Sequence, residues 1–78
     1  MPDWMPRDEI LNPVTDVERE AVRTAQRALS VRETGLLDDV TKASLRGIQR
    51  LLGLPVTGVL DRVTADALER LRPPGLRE

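Results

Sequence analysis

The stretch TGLLDDVTKASL (Thr34–Leu45) recurs 23 residues later as TGVLDRVTADAL (Thr57–Leu68), with Thr, Gly, Leu, Asp, Val, Thr and Leu in the same places. Carried backwards at the same offset, the match pairs Val22, Ala25, Gln26, Arg27 and Leu29 with Leu45, Ile48, Gln49, Arg50 and Leu52. The repeating unit is therefore a helix end, a turn and the next helix start. Gly35 and Gly58 permit the positive backbone angle of a tight turn, and Leu37 and Leu60 are apolar positions to be buried just before each helix. Asp38 and Asp61 are placed to accept hydrogen bonds from the amides of Val40 or Thr41 and of Val63 or Thr64, and their charge suits the positive end of a helix. The competing reading makes the two aspartates a pair of catalytic or metal-binding carboxylates. Neither loop carries the alternating acidic residues of a calcium site, and the cap reading accounts for every repeated letter.

Around this unit the sequence predicts three helices. Thr15-Asp16-Val17-Glu18 fits a capping box, and Val17, Ala21, Val22, Ala25, Ala28 and Leu29 follow at helical spacing, giving a first helix from about Asp16 to Leu29. Asp38 opens a second, with an apolar stripe of Leu45, Ile48, Leu51 and Leu52; Gly53 stops it and Pro55 prevents continuation. Asp61 opens a third through Ala67, Leu68 and Leu71, ended by Pro73-Pro74. The expected fold is all-α: a small three-helix bundle over 15–72, an extended arm over 1–14 punctuated by Pro2, Pro6 and Pro13, and a short tail over 73–78. A single domain of 78 residues removes only about 60% of its unfolded-chain surface from water, so each buried contact matters.

Composition narrows the function. There is no Cys, His, Tyr or Phe, which removes thiolate chemistry, the commonest acid/base near neutral pH and the commonest transition-metal ligand. The expectation is no enzyme, no cofactor and no metal. A net charge of -1 gives no electrostatic case for nucleic acid or an anionic membrane surface. No apolar run approaches a membrane span, and MPDWMPRDEI lacks the basic start and apolar core of a signal peptide, so export by the general secretion route is not expected. Lys42 is the only lysine among twelve basic residues, an arginine bias that fits a GC-rich coding sequence.

The pattern Val22-x-x-Ala25-Gln26-x-x-Leu29, Thr34-Gly35-x-Leu37-Asp38-x-x-Thr41, Leu45-x-x-Ile48-Gln49-x-x-Leu52-Gly53-Leu54, Thr57-Gly58-x-Leu60-Asp61-x-x-Thr64-x-x-x-Leu68 resembles the peptidoglycan-binding-domain-like module. The resemblance spans roughly Val17 to Leu71. It implies a non-catalytic three-helix bundle attached to murein. The family usually carries an aromatic before the Gln of its second helix, where this chain has Ile48. A polar groove of Arg, Gln and Thr side chains then remains as a route to the peptide stem.

Two features lie outside the repeat. Arg19, Arg23 and Arg27 fall at i, i+4, i+8 on the first helix, and Arg46 and Arg50 repeat the spacing on the second. They read either as a patch for phosphates or partner carboxylates or as a solvated face with Glu18 and Glu20 as local partners. Trp4 is the only aromatic, and with Met5, Ile10 and Leu11 it makes the arm apolar enough either to fold back on the bundle or to anchor in a partner. The expectation from sequence puts the arm on other protein subunits of an assembly, in a phage virion (capsid or head-tail region) or in the bacterial cytoplasm during assembly. Murein binding at the cell wall, by a lytic or wall-attached system, is the alternative.

Overall fold

Thr15 opens the first helix in extended conformation, and the chain then runs helically from Asp16 to Leu29 (α1). The capping box forms as the sequence predicts: the Glu18 amide donates to Thr15 Oγ1 at 3.1 Å, and Glu18 Oε1 accepts from the Thr15 amide at 3.1 Å. The computed structural model describes residues 4–71, so the expected tail over 73–78 lies outside the described residues, as do the first three residues of the arm. Two more helices follow, Asp39–Leu51 (α2) and Arg62–Leu71 (α3), and α1 packs against both. Asp38 Oδ1 accepts from the Thr41 amide at 2.9 Å and Asp61 Oδ1 from the Thr64 amide at 2.8 Å. The three helices are those expected, and both aspartates are caps.

A small sheet accompanies them, which the helical pattern gave no sign of. Glu9–Ile10 (β1) pairs antiparallel with Leu60–Asp61 (β2), Glu9 opposite Asp61 and Ile10 opposite Leu60. The arm therefore folds back on its own bundle. Met5 and Ile10 join Ala21, Val22, Ala25, Leu45, Leu60, Ala65 and Leu68 in the buried core, and Trp4 packs against its edge. A core of mostly Ala, Val and Leu contributes little area per residue, so the two arm side chains are a substantial fraction of what is removed from water.

Both helix ends preceding the repeated turns close in the same way. The Val31 amide donates to the Gln26 carbonyl at 3.0 Å, and the Leu54 amide to the Gln49 carbonyl at 2.8 Å, bonds of the kind that end a helix with one left-handed residue. Gly53 occupies that conformation in the second unit, with φ of 74°; in the first it is Ser30, at 62°.

The entry to α1 also carries a pH signature. Glu18 is buried and accepts from the amides of Val14 and Thr15 and from Arg7 Nη1, the last at 2.7 Å. These contacts, the Val14 amide foremost, hold its carboxyl down at about 2 against an ordinary 4.5. A depressed folded-state value means that the contribution is complete above 4.5 and is lost as pH falls from there towards about 2. Melting temperatures recorded between those pH values should fall steeply for the native chain and more gently for Glu18→Gln, which starts lower and has no charge to lose.

Candidate functional site

The repeated glutamines organise the two turns that join the helices. Gln26 reaches from α1 into the first turn: its Nε2 lies 3.0 Å from Thr34 Oγ1, 2.9 Å from the Leu36 carbonyl and 2.8 Å from Thr41 Oγ1, and its Oε1 accepts from the Gly35 amide at 2.9 Å. Gln49 repeats this in the second turn, with Nε2 against Thr57 Oγ1, the Val59 carbonyl and Thr64 Oγ1, and Oε1 accepting from the amides of Thr57 and Gly58. Each carboxamide thus ties a helix end, a turn and the start of the next helix. Gln26, Gln49, Thr41 and Thr64 are all essentially inaccessible to solvent. The polar groove expected from Gln and Thr is consequently not on the surface: these groups spend their hydrogen bonds inside the fold.

The turn glycines carry a second constraint from the helices. A Cβ on Gly35, at φ of 79°, would stand 2.8 Å from Arg23 Nη1; one on Gly58, at 73°, would stand 2.9 Å from Arg46 Nη1 and 3.2 Å from Arg46 Cγ. Arg23 and Arg46 are themselves repeat partners, so each unit lays an arginine side chain over its own turn. Gly58→Val combines a branched residue in the left-handed region with displacement of Arg46, and is expected to cost about 2 kcal/mol, read as a drop of roughly 10 °C in melting temperature. Gly53→Ala is the control, because a Cβ there meets nothing within 4 Å and only the backbone angle is penalised.

The arginine row on α1 is largely neutralised. Arg19 pairs with Asp16 at 3.2 Å, Arg23 with Glu20 at 2.8 Å, and Arg27 with Glu33 at 2.8 Å. Glu20 is a local partner as expected; Glu18 is not, being taken up by the cap and by Arg7. Arg46 and Arg50 make no ion pair among the described residues; Arg46 lies over Gly58, and Arg50 is exposed. The Arg27 guanidinium holds Glu33 below its ordinary range, and Thr41, through its hydroxyl and then its amide, does the same for Asp38. Among the described residues no cluster of acidic side chains is arranged to hold a metal ion, and no helix is long and apolar enough to cross a membrane.

What the fold does assemble is a groove beside the single aromatic. Trp4, Asp16, Val17, Glu20 and Arg23 line a recess of about 570 Å³ between the arm and α1. The indole Nε1 donates to Glu69 Oε1 on α3 at 2.8 Å, which fixes the ring while leaving it partly exposed. Of the other arm residues singled out from the sequence, Met5 and Ile10 are buried in the chain's own core and Leu11 is exposed.

A family model described as "Putative peptidoglycan binding domain" matches residues 18–68, well over half the chain. The chain belongs to that family. The match runs from the capping glutamate of α1 to the buried Leu68 of α3 and contains both Gln-centred units of the peptidoglycan-binding domain, while the arm with Trp4 lies before it. No curated protein and no solved structure matches the chain. The sequence pattern contained Gln26 and Gln49 as repeated letters, and their burial supplies the reason for the repetition. The Trp4 groove had no such signal, because its lining comes from an aperiodic arm and one face of α1.

Proposed function

We propose that this chain is a non-catalytic peptidoglycan-binding module that meets murein through the groove between the Trp4 arm and α1. The family match over residues 18–68 carries the wall-binding part of this reading and places it ahead of the assembly role expected from the sequence, for which neither the comparisons nor the packing of the arm offers support. The groove is favoured on chemical grounds. Sugar rings present apolar faces and hydroxyl rims, and Trp4 with Val17 offers an apolar floor flanked by the carboxylates of Asp16 and Glu20 and the guanidinium of Arg23. The family's usual aromatic is missing at Ile48, and the arm supplies a tryptophan at another place.

Sedimentation with purified, protein-free murein sacculi tests the proposal. The native chain should be retained saturably, and Trp4→Ala should lower the apparent affinity about tenfold, the scale of a single aromatic hot spot. Equal retention of native chain and variant would move the site away from Trp4; absence of retention by both would remove the wall-binding function.

A further inference from the structure

In the second unit of the repeat, the backbone edge ahead of the helix is covered by the chain's own arm. β1 pairs with Leu60 and Asp61, the Arg62 amide donates to the Asp8 carbonyl at 2.7 Å, and the Arg62 guanidinium pairs with the Asp8 carboxylate. The first unit has the same turn, built on Gln26 as the second is on Gln49, but among the described residues no strand pairs with the matching edge at Leu37, Asp38 and Asp39. The amides of Leu37 and Asp39 make no hydrogen bond among the described residues. Exposure follows suit: Leu36 is exposed where Val59 is half-buried, Leu37 half-buried where Leu60 is buried, and Asp38 exposed where Asp61 is half-buried.

We propose that the open edge at Leu36–Asp39 is a docking site for an extended segment of a partner protein carrying a basic side chain, bound as the arm is bound to Leu60–Arg62. Strand addition of this kind draws affinity from main-chain hydrogen bonds and selectivity from the flanking side chains. The selectivity is legible in the one charge that the repeat inverts. Arg62, which pairs with Asp8 of the arm, is matched by Asp39, which makes no ion pair among the described residues. A segment docking there must therefore present Lys or Arg where the arm presents Asp8. The same inversion disfavours the arm of a second copy, whose Asp8 would face Asp39.

The test uses the full ¹⁵N-labelled chain and two pentapeptides: the sequence of Arg7–Leu11, and the same sequence with Asp8→Lys. The Asp8→Lys peptide should shift the amides of Leu36 to Val40 saturably and bind about threefold more tightly than the native one, the scale of an exposed ion pair. In the chain carrying Asp39→Arg, an exposed change, the order of the two peptides should invert. Shifts confined to Leu60–Arg62, meaning displacement of the chain's own arm, would overturn the proposal. So would the absence of shifts with either peptide, or shifts at Leu36–Val40 elicited by soluble murein fragments and not by the lysine peptide. Because none of these readouts uses sacculi, failure here and failure of murein binding are separate results.

Discussion

Gln49→Ala is expected to destabilise the chain by roughly 3 kcal/mol or more, visible as a fall of at least about 12 °C in melting temperature for a domain of this size. The side chain is fully buried and serves five partners in the second turn. Alanine leaves the amides of Thr57 and Gly58, the Val59 carbonyl and the Thr64 hydroxyl facing a cavity. Each buried polar group left without a partner costs about 1–3 kcal/mol, and a small domain holds only about 5–10 kcal/mol in total. Gln49→Glu sharpens the interpretation: it keeps the acceptor for Thr57 and Gly58 but loses the donors, and it buries a charge. Thermal unfolding by circular dichroism should rank both well below the native chain. An effect under about 1 kcal/mol would mean that water replaces the carboxamide and that the hub is not what holds the turn.

Ile10→Ala is the second large effect, expected at about 2–5 kcal/mol in urea unfolding. Ile10 is fully buried opposite Leu60, and with Met5 it makes the arm part of the hydrophobic core. The variant loses the transferred side chain and leaves a cavity between β1 and the helices. Leu11→Ala, one residue along and exposed, should change stability by less than about 0.5 kcal/mol. A near-neutral Ile10→Ala would show that the arm detaches freely in solution.

These two sites also mark where sequence reasoning succeeds and where it stops. Capping boxes, aspartate caps and turn glycines act over three or four residues, so Thr15, Glu18, Asp38, Asp61, Gly35 and Gly58 announce themselves locally. The three helix spans follow from them with the apolar spacing. Gln26 and Gln49 were visible as repeated letters, but a glutamine on a helix has no local rule that says whether it faces water or a turn eight to fifteen residues away. The sheet was harder still. A two-residue strand is too short to show alternation, and its partner lies beyond both α1 and α2, so nothing near Glu9 or Ile10 signals the pairing with Leu60 and Asp61. The candidate groove inherits that difficulty, because Trp4 reaches α1 and Glu69 only once the arm has docked. The left-handed Ser30, where the second unit has Gly53, is a smaller case: the first helix ends by the same geometry without the residue that normally discloses it.

The most direct test of wall recognition uses the fact that Trp4 is the only aromatic residue in the chain. All tryptophan fluorescence therefore reports from the edge of the groove. Titrating soluble glycan fragments of murein into the native chain should shift the emission saturably, with a midpoint matching retention on intact sacculi. Unchanged emission across the titration, together with failure to sediment with sacculi, would contradict the account.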